Sequence, residues 1–336
     1  MGKRRIGLIG AGMISRYHLT AWSRSPDDAV VAICDPDLAK ARARASEFSV
    51  PSVYADAAAM LEREQLDGID VASSREFHAK HVRMGADRNL TVLCQKPLKP
   101  TYDESVRLVQ EIAGKCRLMV HENWRFRPFY RLADDWLRQG RIGQLSGATM
   151  QVRGSGFRPD VDGRYPALER QPFMRELPQM LISESQIHQL DVLRWLLGPL
   201  DVRRAWLGRS CPAIRGEDRA VVAMETADRM PVILDADGAA FGYPPRSADD
   251  LEILGTKGAI RFRNMKLSVV DAAGCEEHSY ESEPAYQNSF DACIRHFSEA
   301  LSQGTPFETD PVDNLKTLHL VDSIYRLAGP IRVLPP

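Results

Sequence analysis

The chain has 336 residues, of which 44% are hydrophobic and 26% charged, and its formal net charge is -1. This composition is typical of a folded globular protein large enough for two domains, and it excludes an intrinsically disordered chain. A net charge so close to zero disfavours partners that bind through a strong overall field, such as nucleic acid or an anionic membrane. We find no apolar run of the length that a membrane-spanning helix requires.

Short β-branched runs alternate with amphipathic stretches in the first third of the chain. The runs predicted as strands are Ile6–Ile9, Val30–Cys34, Gly68–Ala72, Thr91–Cys94 and Arg117–Val120. The stretches predicted as helices are Met13–Ser23, Leu38–Phe48, Ala55–Glu64, Phe77–Asp87 and Tyr102–Gly114. This alternation predicts an α/β Rossmann domain over residues 1–122, with a doubly wound parallel sheet between two layers of helices.

The pattern changes near residue 128, where a predicted helix, Phe129–Gln139, leads into longer strands that follow one another directly. These strands are Leu145–Arg153, Asp201–Gly208, Arg219–Glu225, Met230–Gly238, Asp250–Leu254, Ala259–Arg263 and Lys266–Asp271. Further helices are predicted at Ser185–Leu197, Ser289–Ser302 and Asp313–Leu327, and residues 154–179 are predicted as a long loop. Residues 123–336 therefore read as an α+β domain with a mixed or antiparallel sheet.

A glycine-rich turn follows the first predicted strand directly. In Gly10-Ala11-Gly12, the first glycine permits a tight turn and the second lets the backbone approach a pyrophosphate at a helix N-terminus. Ser15 takes the place of the third glycine of the usual fingerprint. Asp35 ends the second strand, where an acid accepts hydrogen bonds from ribose hydroxyls and repels a 2′-phosphate, which favours NAD over NADP. The alternative role for Asp35 is as a helix cap.

Two further segments carry side chains suited to hydride-transfer chemistry. Gln95-Lys96-Pro97 follows the fourth predicted strand, at the sheet edge where such folds bind ligands. Glu184 and His188 are four residues apart near the start of a predicted helix, so both side chains can project from one face.

With these motifs the sequence resembles the Gfo/Idh/MocA family of sugar oxidoreductases over nearly its whole length. The resemblance is carried by the Gly10–His18 turn, Asp35, Gln95-Lys96-Pro97, Asn123-Trp124-Arg125, the helix through His188, the Gly255–Gly258 turn and the C-terminal helix. It implies that the second domain has an open-faced mixed sheet that contributes oligomer contacts, in a homodimer or homotetramer. It also implies a dehydrogenase that uses NAD to oxidise a carbinol carbon of a sugar or polyol, for example an aldose such as D-apiose, or inositol.

The expected site residues fall into three groups. The expected cofactor contacts are Gly10, Gly12, Met13, Ile14, Asp35, Ser73, His78, Gln95 and Lys96. The expected substrate contacts are Asn123, Arg125, Arg153, Tyr165, Glu184 and His188. The expected catalytic residues are Lys96, His188 and Glu184.

Several of these residues also have structural alternatives. His78 could serve packing alone, Asn123 and Arg125 could make domain-interface hydrogen bonds, and Arg153 could form a surface ion pair. Asp191, near the same helical face as His188, could equally pair with Arg194.

In the expected reaction His188 is the general base, because an ordinary histidine pKa lies near neutrality. Lys96 stabilises the developing alkoxide, and Glu184 orients the imidazole or binds a substrate hydroxyl. The family usually has Glu-Lys-Pro where this chain has Gln95, and Asp where it has Glu184. These departures keep two alternatives open: an oxidoreductase that retains its NAD through successive turnovers, and a non-catalytic NAD-binding sensor or subunit.

The cysteines predict a cytoplasmic protein without a metal site. Cys34, Cys94, Cys116, Cys211, Cys275 and Cys293 are scattered, with no spacing typical of zinc ligands. We expect them to be reduced thiols.

Overall fold

The computed structural model describes residues 2–335, which divide into two compact units. The first unit comprises the chain up to Arg127 together with Glu283–Lys316, and the second comprises Pro128–Ser282 together with the residues from Thr317 onward. The sequence suggested two contiguous domains, 1–122 and 123–336. The structure instead returns a C-terminal segment to the first unit, because that segment supplies part of its hydrophobic core.

The first unit is built on a six-stranded, fully parallel sheet of order β3-β2-β1-β4-β5-β6. Its strands are β1 (Arg4–Ile9), β2 (Asp28–Cys34), β3 (Ser52–Tyr54), β4 (Gly68–Val71), β5 (Thr91–Gln95) and β6 (Leu118–His121). All four residues of the central strand β4 are buried, as expected of a strand covered on both faces, and all four residues of the edge strand β6 are buried as well. This arrangement confirms the predicted Rossmann sheet.

The helices of this unit begin at identifiable caps. They are α1 (Ser15–Ser23), α2 (Leu38–Phe48), α3 (Ala57–Arg63), α4 (His78–Ala86) and α5 (Tyr102–Ile112). Asp37, Asp56 and Thr101 each accept hydrogen bonds from amides of the first turn of α2, α3 and α5. Such caps satisfy amides that would otherwise lack a partner and thereby fix where each helix begins.

A long helix from the C-terminal segment covers part of this sheet. In α9 (Ser282–Gln303), the buried side chains Phe290 and Phe297 belong to one hydrophobic cluster with Ile6 of β1 and Leu93 of β5. The sequence pattern predicts the start of this helix at Ser289, seven residues too late. The final helix, α10 (Pro311–Ala328), begins in the first unit and ends in the second.

The second unit contains a nine-stranded mixed sheet of order β14-β13-β12-β11-β7-β10-β9-β8-β15. Its strands are β7 (Leu145–Arg153), β8 (Leu200–Arg209), β9 (Arg219–Thr226), β10 (Pro231–Asp237), β11 (Ala248–Gly255), β12 (Gly258–Arg263), β13 (Lys266–Asp271), β14 (Gly274–Ser279) and β15 (Arg332–Val333). β7 pairs in parallel with β10 and antiparallel with β11, so the predicted mixed sheet is confirmed.

One face of this sheet is buried and the other stays partly exposed. In β7, Ala148, Met150 and Val152 are buried, while the side chains between them remain accessible. The helices of the unit are α6 (Pro128–Arg138), α7 (Pro166–Arg170) and α8 (Ile187–Leu197). Phe129 of α6 stacks on Phe262 of β12 with ring centroids 4.0 Å apart, which holds α6 to the buried face. Over residues 2–335, no helix has the length and apolar content needed to cross a membrane.

Candidate active site

The chain turns sharply after β1, and this turn leaves room for a phosphate group. Gly10 has a φ of +105°, and a Cβ built on it would lie 2.7 Å from backbone atoms of Ala72 and Ser73. Only glycine fits there. At Gly12, by contrast, a Cβ would meet no atom of the described residues within 4 Å, so the space beside this backbone is open. A closed turn at Gly10 and open space at Gly12 suit the close approach of a pyrophosphate.

Asp35 braces the glycine turn from the end of β2. Its Oδ2 accepts a hydrogen bond from the Ala11 amide at 2.8 Å, and its Oδ1 accepts one from the Asp37 amide at 2.8 Å. The cap of α2 is Asp37, so the structure does not support the helix-cap alternative for Asp35. Each carboxylate oxygen of Asp35 keeps a second lone pair with which to accept from a ribose hydroxyl.

Helix α1 starts directly beyond this turn. Ser15, in the third glycine position, is fully buried and its Oγ donates to the Gly12 carbonyl at 2.7 Å. A serine is tolerated because its short side chain folds back on the turn. Met13 is 53% exposed and Ile14 is half-buried, so both line the accessible side of the turn. The positive end of the α1 dipole favours an anion at this point.

The loops after β4 and β5 are tied together by a buried histidine. His78 has Nε2 at 2.9 Å from the Ser73 carbonyl and Nδ1 at 2.8 Å from the Pro97 carbonyl. Ser73 Oγ lies 3.0 Å from Nδ1 of His81, whose pKa is lowered to about 4 by burial and by the charges of Lys80 and His78. His78 therefore has a structural task that the sequence did not specify: it joins the loop of Ser73 to the loop of Lys96.

Lys96 directly follows β5 and is half-buried. The peptide bond between Lys96 and Pro97 is cis. Lys96 thus lies at the carboxyl edge of the parallel sheet, the same edge that carries Gly10 and Asp35. This is the edge at which open α/β sheets bind their ligands.

Beneath Lys96, Gln95 is the centre of a buried polar chain. Its Nε2 lies 2.8 Å from His18 Nε2 and 3.2 Å from His121 Nδ1. His18 Nδ1 lies in turn 2.7 Å from Asp70 Oδ2, which also accepts from Trp22 Nε1 at 2.7 Å. The two donors of a glutamine amide satisfy two imidazole lone pairs, so Gln95 fits this position without a charge.

Most residues of this polar chain were not predicted from the sequence. His18, Asp70 and His121 are 0% exposed. One signal was available: Asp70 interrupts an otherwise apolar strand, and a buried acid needs a partner. No local pattern identifies that partner as a histidine 52 positions earlier in the chain.

In the second unit, Glu184 and His188 lie on one helical segment, each 8% exposed. The predicted regular helix from Ser185 is wrong at its start. A π-helical turn spans Leu181–Gln186 and contains Glu184, and α8 begins only at Ile187. Single π turns inside helices are frequent at functional sites. The next acid, Asp191, is fully buried and accepts from Thr317 Oγ1 at 2.8 Å, with Arg194 Nη2 at 3.3 Å, which favours the pairing alternative.

Asn123 and Arg125 both bind to the C-terminal segment inside the first unit. Asn123 Nδ2 donates to Ser289 Oγ at 2.7 Å, and Arg125 Nη2 lies 2.8 Å from Asp313 Oδ2. Both residues are buried, at 3% and 2% exposure. These contacts give each of them a structural role, and contact with a substrate stays a prediction.

The remaining predicted substrate contacts lie in the second unit. Arg153 pairs with Asp235 on the neighbouring strand β10 and donates to its carbonyl, which favours the ion-pair alternative. Tyr165 is half-buried at the start of α7, in a stretch expected to be a loop. Their contact with a substrate also stays a prediction. Within residues 2–335, no group of three or more His, Cys, Asp or Glu side chains is placed to hold a metal ion.

The parallel sheet, the glycine turn and the acid that braces it define a dinucleotide-binding protein of the Rossmann type. Two family models match the chain: the oxidoreductase family with an NAD-binding Rossmann fold over residues 4–122, and the Gfo/Idh/MocA C-terminal domain over residues 130–261. The chain belongs to the Gfo/Idh/MocA family. The predicted family, its NAD cofactor and its oxidoreductase class are confirmed.

Relatives and solved structures agree over nearly the full length. A D-apiose dehydrogenase of Paraburkholderia graminis is 31% identical, covering 95% of this chain and 86% of that protein. A D-apiose dehydrogenase of Rhizobium rhizogenes is 30% identical, covering 96% and 94%. The crystal structure of an oxidoreductase from Agrobacterium radiobacter, in complex with NAD+, L-tartaric acid and magnesium, is 29% identical. It superposes with a TM-score of 0.89 and covers 97% of this chain and 96% of that chain.

Proposed function

We propose that this protein is an NAD-dependent dehydrogenase that oxidises a hydroxyl-bearing carbon of an aldose, with D-apiose as the first substrate to test. The observation that carries the proposal is the position of Lys96. This lysine lies at the same sheet edge as the Gly10 turn and Asp35, so its ammonium group is close to the part of the sheet that we assign to the dinucleotide. The substrate class is supported by the two relatives named D-apiose dehydrogenases.

The residues divide the chemistry as follows. When bound, NAD supplies the acceptor for the hydride that leaves the carbinol carbon. His188 accepts the proton of the substrate hydroxyl, since histidine is the side chain best suited to general-base catalysis near neutral pH. Lys96 Nζ donates a hydrogen bond to the same oxygen and stabilises its developing negative charge. Glu184 orients His188 or accepts a hydrogen bond from a neighbouring substrate hydroxyl.

The cofactor roles follow from the glycine turn after β1 and the acid at the end of β2. Gly10 and Gly12 give the pyrophosphate access to the amides at the start of α1, with Met13 and Ile14 beside it. Asp35 accepts hydrogen bonds from the ribose of the adenosine half, which favours NAD because a 2′-phosphate would meet its charge. Ser73, His78, Gln95 and Lys96, which lie near the carboxyl ends of β4 and β5, would contact the nicotinamide half.

A substrate screen with paired variants tests the proposal. NADH formation is followed by absorbance with D-apiose, related aldoses, uronates and inositol, each with NAD and with NADP. Lys96→Met and His188→Asn should each lower kcat about 10²–10⁴-fold with NAD binding retained. Lys99→Met and His278→Asn are the matched controls, since Lys99 pairs with Glu104 and His278 with Glu276 on the surface.

The alternatives predict different results. A protein that retains its cofactor would release NAD or NADH only on denaturation and would give no steady NADH production without a second substrate. A non-catalytic sensor would bind NAD but show no sugar-dependent NADH signal. An unchanged signal in both Lys96→Met and His188→Asn would contradict the assigned catalytic roles.

We further propose that the protein is a cytoplasmic homodimer or homotetramer in which the partly exposed face of the second sheet contacts a second copy. That face combines apolar side chains such as Val221 and Ile233 with ion pairs between adjacent strands, such as that of Arg261 with Glu252. Light scattering should give a mass of two or four times 37.6 kDa, and a value of 37.6 kDa would contradict the proposal. The cytoplasmic location is supported by the cysteines, all six of which are free thiols.

A further inference from the structure

The helical segment that carries Glu184 and His188 begins with four consecutive backbone amides, those of residues 180–183. The first amides of a helix have no partner within the helix, so they must be satisfied by other groups. Two residues distant in sequence, Glu217 and Tyr325, satisfy all four. The acceptors are Glu217 Oε2 for Met180 at 3.3 Å, the Glu217 carbonyl for Leu181 at 3.3 Å, Glu217 Oε1 for Ile182 at 3.0 Å and the Tyr325 hydroxyl for Ser183 at 3.2 Å.

Glu217 and Tyr325 are also bonded to each other. The Tyr325 hydroxyl donates to Glu217 Oε1 at 2.5 Å, while Glu217 itself is 0% exposed. Burial raises the pKa of the Glu217 carboxyl, and the hydrogen bonds from Tyr325, Ile182 and Met180 oppose that rise. A buried carboxylate at this point also gains from the positive end of the helix dipole.

The loop that carries Glu217 is shaped for this contact. A Cβ on Gly216 would lie 2.7 Å from the Leu177 carbonyl oxygen and 2.8 Å from Met180 Cβ, so a side chain at this position would push the loop away. Gly216 thus lets the backbone of Glu217 approach the amide of Leu181. Three features of the chain, a glycine, a buried acid and a tyrosine from α10, converge on the start of one helical segment.

This start coincides with the π-helical turn. The turn spans Leu181–Gln186, directly after the first bonded amide and around Glu184. A π turn is rare because it leaves the regular helical ladder, and it persists only where surrounding contacts hold it. Glu217 and Tyr325 supply contacts outside the helical ladder at the amino end of this turn.

We propose that Glu217 and Tyr325 are positioning residues that fix the π turn and thereby set the placement of Glu184 and His188. This inference rests on the proposed function for the roles of Glu184 and His188. Neither Glu217 nor Tyr325 acts on the substrate itself. Both act through the backbone of residues 180–183.

Hydrogen–deuterium exchange on the full chain, read alongside kinetics, tests this inference. Tyr325→Phe removes the hydroxyl that accepts from Ser183 and donates to Glu217. Glu217→Gln keeps the size of the side chain but turns one acceptor into a donor facing an amide. In both variants we expect amide exchange in peptides covering residues 180–188 to accelerate at least tenfold, while exchange over residues 4–95 and the NAD dissociation constant stay unchanged. We expect kcat to fall at least tenfold, with a larger effect in Glu217→Ala than in Glu217→Gln.

Tyr280→Phe is the matched control. Tyr280 lies in the same unit and is half-buried like Tyr325, and its hydroxyl makes no hydrogen bond to another residue of the described chain. This variant should leave exchange at residues 180–188 and kcat unaltered.

The two readouts separate the failures. Unchanged exchange at residues 180–188 in Tyr325→Phe and Glu217→Gln would overturn the inference whatever the activity. Faster exchange with unchanged kcat would also overturn it, because the turn would then not position catalytic groups. If both variants exchange faster than wild type but the wild-type protein oxidises no sugar, the anchoring of the turn is established and the proposed function is refuted instead.

Discussion

Replacing Gln95 by glutamate tests the arrangement of protons in the buried chain beneath Lys96. Gln95 Nε2 lies 2.8 Å from His18 Nε2 and 3.2 Å from His121 Nδ1, so each of these imidazole nitrogens presents a lone pair to the amide. His18 then carries its proton on Nδ1, which lies 2.7 Å from Asp70 Oδ2. Gln95→Glu puts an oxygen where the amide donor was, opposite two lone pairs.

The cost follows from the hydrogen bonds that are lost. Each buried polar group left without its partner costs about 1–3 kcal/mol, so two opposed acceptors cost about 2–6 kcal/mol. Protonation of His18 relieves one of them, since an imidazolium donates both to Asp70 and to the introduced carboxylate. Folding of the variant should therefore take up about one proton that the wild-type protein does not bind.

The sign of the pH dependence is fixed by this proton. The folded variant binds this proton and the unfolded chain binds it less tightly, so the free energy of unfolding of the variant falls as pH rises. One extra proton in the folded state changes the free energy of unfolding by about 1.4 kcal/mol per pH unit.

Urea unfolding at several pH values between 6 and 9 measures this difference. The variant should lose stability relative to wild type as pH rises. Gln95→Met is the control, because it removes the hydrogen bonds without adding a charge, and its difference from wild type should not depend on pH. A difference for Gln95→Glu that is equally flat from pH 6 to 9 would refute the assigned tautomers.

Four other substitutions have defined outcomes. Asp35→Asn should raise KM for NAD about 10–100-fold, which corresponds to a loss of about 1.5–3 kcal/mol of binding free energy, and should reduce the preference of the enzyme for NAD over NADP. An unchanged ratio of kcat/KM with NAD to kcat/KM with NADP would contradict the role of the Asp35 charge. Burial raises the pKa of the Asp28 carboxyl, but hydrogen bonds from Arg4, Ser298 and Ser25 outweigh burial and lower it below 3.8. The carboxylate therefore stabilises the folded protein above pH 3.8, and this stabilisation is lost as pH falls through the folded pKa. Unfolding of Asp28→Asn should accordingly differ from wild type by about 1–3 kcal/mol at pH 7, and the difference should shrink progressively as pH falls below 3.8. Gly10→Ala, with a Cβ 2.7 Å from main-chain atoms, should lower stability by about 2 kcal/mol or more, whereas Gly12→Ala should weaken NAD binding with little change in stability.

Local patterns predicted most of the secondary structure and failed in recognisable places. The long strands of both sheets alternate or run apolar, and their predicted bounds agree closely with the observed ones. The short edge strand β3 was missed, as were β14 and the two-residue β15. β14 has the sequence GCEEHS and no buried residue, so it presents no hydrophobic period to detect. An edge strand of this kind is defined by its pairing with β13, which depends on tertiary structure.

Features that depend on neighbouring residues could be predicted from the sequence. The Gly10 turn, the acid at Asp35 and the lysine after β5 each follow from a strand, a spacing and a residue type, and together they specify a dinucleotide-binding oxidoreductase. The conformation of a turn and the residue that follows a strand are properties of short segments, so both can be predicted from the local sequence.

The contacts that support the candidate site depend on tertiary packing and could not be predicted from the sequence. Asp70 with His18, Asn123 with Ser289, and Glu217 with Tyr325 join residues separated by 52, 166 and 108 positions. No periodicity relates such pairs, because a buried polar group takes whichever partner the packing brings to it. The return of Glu283–Lys316 to the first unit is of the same kind, since the side chains of α9 complete a core whose strands lie far earlier in the chain.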